Sequence, residues 1–313
     1  MNSLPLITAD EVRARLTQKA CIPLVRDAMI ALSAGKTRQA LRQIVDLGGG
    51  NAFGSMPGAI DGLCHGAKLI SVFPGNVAAG GKAHEGVIVL FDPENGKATC
   101  AVDAGEVTAI RTAAASAVAT DALARKDAST VTILGTGEQG WQHALAMNEV
   151  RDLKAITLWG RDIGKAQDLA ARIAEAIGIE THACPSVAEA CAAADIICTT
   201  TASPEPVLLL DHVTRGVHIN AVGSSRAGPT EIDPCLIPVS LFVPDHREGV
   251  IAQGSEYLDA VELGIADERN IGPEIGEILA GRATSRTSAE QITIYKSLGS
   301  IVQDIAATEW LAR

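Results

Sequence analysis

A glycine-rich turn is the segment whose residue spacing most clearly indicates chemistry. The pattern G-x-G-x-x-G follows the apolar run Val131–Leu134 and precedes Glu138–Val150, which can form a helix. The first glycine allows a tight turn, the second lets a pyrophosphate approach the backbone, and the third lets the helix pack on the strand. The alternative is a turn that binds nothing. We predict a dinucleotide-binding loop made of Gly135, Thr136, Gly137, Glu138, Gln139 and Gly140.

Four ionisable residues lie where their neighbours are apolar, small or turn-forming. They are Lys68, His84, Arg111 and Asp233. An arginine on a helix of small residues can hold a carboxylate through two parallel hydrogen bonds. A lysine in an apolar strand can have a lowered pKa and exchange protons, as can a buried aspartate. The alternative for each is a solvated charge at the edge of the fold.

The second half of the chain alternates between strand and helix patterns, which is typical of a doubly wound parallel sheet. The predicted strands are Val131–Leu134, Ile156–Trp159, Ile196–Thr200, Val217–Val222 and Leu241–Val243. The predicted helices are Gln139–Val150, Ile163–Ala176, Val187–Ala194 and, at the end of the chain, Ser288–Leu311. We therefore predict an α/β protein with a Rossmann sheet.

The first third of the chain has a different pattern. Thr8–Ala34 reads as helix, with Thr8 or Asp10 as its N-cap and Pro23 as a kink or a new start. Short apolar runs then alternate with Gly, Pro and Asn, and Asn95-Gly96 indicates a hairpin turn. These runs are Ala40–Leu47, Ala67–Phe73, Gly86–Phe91 and Thr99–Val102, before a helix over Glu106–Ala124. We predict a smaller α+β domain with an antiparallel or mixed sheet.

Composition excludes several function classes. The formal net charge of −11 argues against a nucleic-acid partner, because there is no basic surface to neutralise phosphates. The chain contains no run of about 18 uncharged apolar residues, so we expect no membrane span. The seven cysteines are odd in number and form no C-x-x-C, which favours reduced thiols and a cytoplasmic protein. Cys184, Cys191 and Cys198 recur every seven residues, but their predicted elements differ, so we expect no metal.

Taken together, the motifs resemble those of the ornithine cyclodeaminase/mu-crystallin family over nearly the whole chain. The blocks occur in the family's order. They are Met56-Pro57 with Lys68 and Phe73–Asn76, His84–Gly86 with Leu90–Asp92, Thr108–Ala114, Gly135–Gly140, Thr201–Pro204 with Pro206-Val207, His218–Gly223 with Glu231–Asp233, and Thr293–Gly299 with Gln303-Asp304.

The resemblance implies a substrate-binding and dimerisation domain over residues 1–118, joined by a C-terminal helix over 290–313. It implies a Rossmann domain over 119–289, a homodimer, and reactions at the Cα–N bond of amino or imino acids. Arg42, Lys68 and Arg111 would hold the substrate carboxylate, with His84 nearby, and Lys68 and Asp233 would exchange protons. Besides the glycine loop, the residues expected at the cofactor are Arg161, Asp162, Thr200, Thr201, Val222, Gly223 and Ser224.

One position departs from the family's cyclodeaminases. They carry a glutamate three residues before the proline of the Met-Pro pair, where this chain has Gly54. Ketimine reductase-like members resemble the chain more closely at this position. The resemblance therefore implies an NAD(P)H-dependent reductase of cyclic imino acids or a related amino-acid dehydrogenase. The alternatives are an NAD-dependent ornithine cyclodeaminase and a non-catalytic protein that binds NADPH and a small ligand.

The cofactor form depends on the end of the second Rossmann strand. NAD-specific sites usually place an acidic residue there to bind the ribose 2′-hydroxyl. Here Ile156–Trp159 is followed by Gly160-Arg161-Asp162. Arg161 can bind a 2′-phosphate, whereas Asp162 can reach the ribose or cap the next helix. The sequence favours NADP, with NAD as the alternative.

Overall fold

The computed structural model describes residues 4–81 and 83–313, except for the side chains of residues 77–79 and 84. The chain divides into two units, Met1–Arg111 with Ser300–Arg313, and Thr112–Gly299. The elements up to the long helix are β1 (Leu6–Ile7), α1 (Ala9–Arg15), α2 (Gln18–Ser33), β2 (Thr37–Gln39), β3 (Gln43–Gly48), β4 (Asn51–Ile60), β5 (Cys64–Val72), β6 (His84–Phe91), β7 (Ala98–Asp103) and α3 (Ala104–Leu123).

The remaining elements follow the alternating pattern. They are β8 (Thr130–Leu134), α4 (Glu138–Val150), β9 (Ala155–Trp159), α5 (Ile163–Ile177), β10 (Glu180–Ala183), α6 (Val187–Cys191), β11 (Ile196–Thr199), β12 (His218–Ala221), β13 (Ser240–Pro244), α7 (Arg247–Gln253), α8 (Ser255–Glu262), α9 (Ile275–Leu279), β14 (Ile292–Lys296) and α10 (Ile301–Ala312).

The first unit is built on a mixed sheet. Among the described residues its seven strands run in the order β1-β7-β6-β5-β4-β2, and β3 also pairs with β4. Of the pairs between the described strands, β1–β7 is parallel and the others are antiparallel. The β6–β7 hairpin turns at Gly96, whose φ of 70° requires glycine, as Asn95-Gly96 predicted. The mixed sheet expected from the sequence is therefore confirmed.

Strand β4 was not predicted, because prolines are rare inside a sheet. Here Pro57 lies at a gap in the pairing. β2 pairs with Gly58–Ile60 and β3 pairs with Asn51–Ser55, so Met56 and Pro57 have no partner strand on that side. No strand lies opposite Pro57 on that side, so the N–H that proline lacks costs no hydrogen bond to β2 or β3.

The N-terminal helical region breaks at a different residue from the one predicted. Thr8 caps α1 in a capping box with Glu11, which confirms one of the two predicted caps. The break comes at Thr17, the N-cap of α2. Pro23 lies inside α2 and does not start a new helix, and a kink at Pro23 stays a prediction. α10 crosses the sheet closely, since a Cβ at Gly58 would lie 2.5 Å from the Ile301 side chain.

The second unit has an all-parallel sheet in the order β10-β9-β8-β11-β12-β14-β13, seven strands within the part of the chain that the structure describes. The chain runs outward from β8 to β10 and then returns to β11 on the other side of β8, which is the doubly wound topology predicted. A cofactor crevice is expected at the carboxyl ends of β8 and β11, where the strand order reverses.

The end of the chain forms a strand and a shorter helix, so the prediction of one continuous helix was wrong. One helix was expected over 290–313, but Ile292–Lys296 form β14, inserted between β12 and β13. The sequence Ile-Thr-Ile-Tyr suits a strand, because β-branched and aromatic side chains fit a pleated sheet. The helix α10 begins only at Ile301, after the N-cap Ser300.

Candidate active site

Lys68 lies in the middle of a buried row of side chains in the first unit. Its neighbours across the sheet are Met56 on β4 and Ile88 on β6, followed by Val102 on β7. All three are buried hydrophobic residues, and Lys68 itself is only 3% exposed. A lysine in such a row loses hydration, so it requires polar partners.

Those partners come from the two helices that carry Arg111 and Asp304. The Lys68 Nζ donates to Oδ1 of Asp304 at 3.2 Å and to the Thr108 hydroxyl on α3. The Arg111 Nε donates to the same Oδ1 at 3.1 Å, and its Nη1 donates to the Gln303 side-chain oxygen at 2.8 Å. The side chain of Asp304 is fully buried. One carboxylate oxygen therefore holds two cations.

Burial and charge act on this group in opposite directions. Burial lowers the pKa of Lys68 to about 8, although Asp304 raises it and Arg111 lowers it further. Burial would raise the pKa of Asp304, but Arg111 and Lys68 together bring it below its usual value. The cluster thus contains a lysine that can gain or lose a proton near neutral pH.

The other two predicted substrate residues are Arg42 and His84. Arg42 is half-buried between β2 and β3, and its charge also lowers the pKa of Lys68. The backbone of His84 begins β6 opposite Val72, but its side chain lies outside the described residues. The buried group of Lys68, Arg111 and Asp304 carries two cations against one carboxylate, an excess that suits an anionic ligand.

Gly54 is packed against a neighbour. It pairs with Ile70 across β4 and β5. A Cβ at this position would lie 3.1 Å from the Ile70 Cγ2, which is closer than most such contacts. A glutamate at this position would therefore require Ile70 to move.

In the second unit, the predicted glycine loop has the geometry that a pyrophosphate needs. Gly135 has a φ of 136°, and a Cβ there would lie 2.5 Å from the Thr200 hydroxyl oxygen. A Cβ at Gly140 would lie 2.6 Å from the Gly135 oxygen, whereas at Gly137 it would meet no atom within 4 Å. Gly137 is also the N-cap of α4 and supplies no side chain to it. The residues fit a dinucleotide phosphate at the positive end of that helix.

In the turn after β9, Arg161 and Asp162, the two residues considered for the choice between NADP and NAD, have different surroundings. Asp162 is the N-cap of α5, where its Oδ1 accepts from the N–H groups of Gly164 at 3.0 Å and Lys165 at 3.2 Å. Arg161 is exposed beside it. The capping alternative for Asp162 is confirmed, and Arg161 presents a cation at this end of the sheet.

The loops after β11 and β12 are joined by a buried carboxylate that the sequence analysis did not single out. Oε1 of Glu231 accepts from the backbone N–H of Thr201 and from its hydroxyl at 2.7 Å. Oε2 accepts from the N–H of Gly223 and from the Thr199 hydroxyl at 2.8 Å. Burial raises the pKa of Glu231, while the hydrogen bonds from Thr201 and Thr199 lower it.

A buried ion pair lies beside that carboxylate. The Lys296 Nζ at the end of β14 is 2.6 Å from Oε2 of Glu256 on α8, and both side chains are fully buried. Lys296 also donates to the Ser224 carbonyl at 2.7 Å and to its hydroxyl oxygen at 2.6 Å. Gly223 and Ser224, which are expected at the cofactor, are thus held by hydrogen bonds to Glu231 and from Lys296.

Asp233 has a structural role in this fold. Its Oδ1 accepts from the N–H of Cys235 at 2.9 Å and its Oδ2 from the N–H of Leu210 at 3.3 Å. It thereby caps the short 3-10 helix Pro234–Leu236. Proton transfer by Asp233 stays a prediction.

Comparisons with known proteins identify the family of this chain. Residues 5–312 match the sequence model of the ornithine cyclodeaminase/mu-crystallin family. The chain belongs to the ornithine cyclodeaminase/mu-crystallin family. It is 33% identical over 309 residues to a Delta(1)-pyrroline-2-carboxylate reductase of Bacillus cereus, covering 98% of this chain and 95% of the relative. The family membership expected from the motifs is therefore confirmed.

Solved structures extend the likeness to the fold of this family member. The Delta(1)-pyrroline-2-carboxylate reductase of Thermococcus litoralis, in complex with NADH and L-proline, has a TM-score of 0.95 and 30% identity, with 99% of this chain and 96% of that one covered. An archaeal alanine dehydrogenase dimer with bound NAD has a TM-score of 0.93 and 27% identity, covering 99% and 95%. No helix among the described residues is both long and apolar enough to cross a membrane.

Proposed function

We propose that this protein is an NAD(P)H-dependent reductase of cyclic imino acids of the pyrroline-2-carboxylate or piperideine-2-carboxylate type. The observation that carries the proposal is the buried Lys68–Asp304–Arg111 cluster. It combines a carboxylate-binding excess of positive charge with a lysine whose pKa is about 8. The Bacillus cereus relative is named for this reaction, and the Thermococcus litoralis structure contains NADH and L-proline.

The cations would hold the substrate by its carboxylate. Arg111 has a planar guanidinium that suits a carboxylate, and its orientation is fixed by Asp304 and Gln303. Lys68 adds a second positive charge, and the charge of Arg42 acts on Lys68. Because the group is largely removed from water, its interaction with an anionic ligand is less screened than at the surface.

Lys68 would supply the proton that the imine nitrogen gains on reduction. With a pKa of about 8, its Nζ is protonated at neutral pH and can still release the proton. The bound nicotinamide would supply the hydride. Asp304 would keep the ammonium in place without donating itself, because its neighbours favour its ionised form.

The same proposal includes the cofactor form. The glycine loop Gly135–Gly140 would hold the pyrophosphate, and exposed Arg161 would bind the 2′-phosphate of NADP. NAD is the alternative, since Asp162 follows directly. A cytoplasmic location is part of the proposal and stays a prediction from the sequence.

A homodimer through the sheet of the first unit is also proposed. Strand β3 is exposed along its whole length and pairs only with β4 among the described strands. Its apolar residues are solvent-exposed, with Val45 56% and Leu47 50% accessible. Unpaired apolar edges are usually covered. A second copy is the occupant we propose, and light scattering of Val45→Glu against the wild type tests it, with a monomeric wild type contradicting it.

The direct experiment compares two reactions of the purified protein. We expect NADPH or NADH oxidation with a cyclic ketimine carboxylate, and no ammonia release from L-ornithine with NAD. The packing of Ile70 against Gly54 supports this choice, because a glutamate at this position would require Ile70 to move. Ammonia release without ketimine reduction would support the cyclodeaminase, and binding without turnover would support the non-catalytic alternative.

A further inference from the structure

Three fully buried charged residues behind the strand ends have no part in the proposed reaction. They are Glu231, Glu256 and Lys296, each with no exposed surface. Replacing a buried ion pair by apolar residues is often neutral or stabilising, so burial of these charges gains little for stability alone. Their role is therefore in the loop groups to which they are hydrogen-bonded.

Glu231 fixes two loops relative to each other. Its carboxylate accepts one backbone N–H from Thr201, after β11, and one from Gly223, after β12. The two loops also touch directly, since a Cβ at Gly223 would lie 2.1 Å from the Thr201 oxygen. A two-oxygen acceptor between two backbone N–H groups keeps this spacing constant.

Lys296 and Glu256 fix the next residue of the β12 loop. Lys296 donates to both the carbonyl and the hydroxyl oxygen of Ser224, and the Ser224 hydroxyl donates to Oε1 of Glu256. The same Oε1 accepts the backbone N–H of Glu231 at 3.3 Å. The ion pair is therefore joined to Glu231 through the backbone N–H of Glu231, while the carboxylate of the same residue holds the two loops.

The order of the strands assigns this network to one half of the cofactor. β9, β8, β11 and β12 are consecutive in the sheet, with their carboxyl ends at one edge. The phosphate loop follows β8, and Arg161 follows β9 on one side. The loops that hold Thr201 and Ser224 follow β11 and β12 on the other side. A dinucleotide whose pyrophosphate lies at β8 extends its nicotinamide half toward them.

We propose that Glu231, Glu256 and Lys296 are positioning residues that hold the Thr201 and Gly223–Ser224 backbone in place for the nicotinamide half of the cofactor. The inference rests on the proposed function, because it requires that a nicotinamide dinucleotide binds. It assigns these residues no contact with the reacting atoms. Loss of one of these residues should therefore weaken binding of the nicotinamide half selectively, since the adenosine half is bound by other loops.

The test compares the whole cofactor with a fragment that lacks nicotinamide. Dissociation constants for NADPH and 2′-phospho-ADP-ribose, and for NADH and ADP-ribose, are measured by calorimetry with the wild type, Lys296→Met and Glu256→Gln. We expect both variants to lose at least about tenfold in affinity for the whole cofactor while fragment affinity changes by less than about twofold. Glu256→Gln keeps the side-chain size, so it is informative if Lys296→Met does not fold.

The matched control lies at the opposite end of the same strands. Asp195, just before β11, pairs with Arg125 and accepts the backbone N–H of Ser129 at 2.8 Å. Asp195→Asn removes a comparable ion pair and backbone hydrogen bond, and we expect it to change neither affinity. It thereby shows whether a loss of stability alone weakens cofactor binding. Equal losses for cofactor and fragment, or no loss, would overturn the inference. A wild type that binds neither dinucleotide would overturn the proposed function instead.

Discussion

Replacing Asp304 by asparagine removes the charge that holds Lys68 and Arg111 together. The two contacts to Oδ1 are 3.2 and 3.1 Å long. At an effective dielectric constant of about 20, each contact between unit charges is worth roughly 5 kcal/mol, of which the asparagine dipole retains a part. Since one pKa unit corresponds to about 1.4 kcal/mol, we expect the pKa of Lys68 to fall by at least about one unit from its value near 8.

The assay is the pH dependence of kcat/KM for ketimine reduction. Because the reaction requires protonated Lys68, wild-type kcat/KM declines as pH rises through about 8. In Asp304→Asn this decline moves to lower pH by at least about one unit. Glu309→Gln, on the same helix and paired with the exposed Arg313, is the matched control and keeps the wild-type profile. A profile of Asp304→Asn that coincides with the wild type would refute the role assigned to the cluster.

Three further variants and one change of pH test other parts of the structure. Arg111→Ala is expected to lower kcat/KM by more than about tenfold with the fold retained by circular dichroism, and near-normal kinetics would contradict its role. Gly137→Val has open space in the protein, so it should keep its melting temperature yet bind the cofactor more than about tenfold more weakly, and unchanged binding would count against the phosphate site. Arg161→Ala should raise the KM for NADPH far more than that for NADH, whereas equal effects or a wild-type preference for NADH would favour Asp162. Burial lowers the pKa of His143 to about 4 and of His218 to about 3, so both stay neutral in the folded protein while the unfolded chain takes up protons below about pH 6.5. Their stabilising effect is complete above that pH and is lost as pH falls, by roughly 2 kcal/mol per histidine at pH 5, and denaturant titrations that give equal stability at pH 7 and 5 would contradict this.

The Rossmann half was predictable because its signals are local. β8, the glycine loop and α4 follow one another within about two dozen residues of sequence, and each βα repeat carries its own caps and apolar run. Asp162 illustrates the limit of such signals. Its position predicted two roles, and the backbone N–H groups of Gly164 and Lys165 show that it caps α5, while binding of the ribose stays a prediction.

The candidate site was predicted in part because its partners come from distant segments. Lys68 and Arg111 stood out as charges among apolar or small residues, but Asp304, which holds both, lies about 200 residues away in an ordinary-looking helix. Lys296 is a charge at the end of the apolar strand β14, so the argument from charges beside apolar residues would have singled it out as well. The strand itself was missed because residues 288–311 were interpreted as one helix.

The central claim is that the chain reduces a cyclic imino acid and that Lys68 takes part. The most direct measurement follows NAD(P)H consumption and proline formation from Delta(1)-pyrroline-2-carboxylate with the wild type and Lys68→Met. The account predicts equal amounts of cofactor oxidised and L-proline formed by the wild type, and a loss of more than about a hundredfold in kcat/KM for the variant with its cofactor affinity retained. Proline formation by Lys68→Met at the wild-type rate, or none by the wild type with either this substrate or its six-membered homologue, would contradict it.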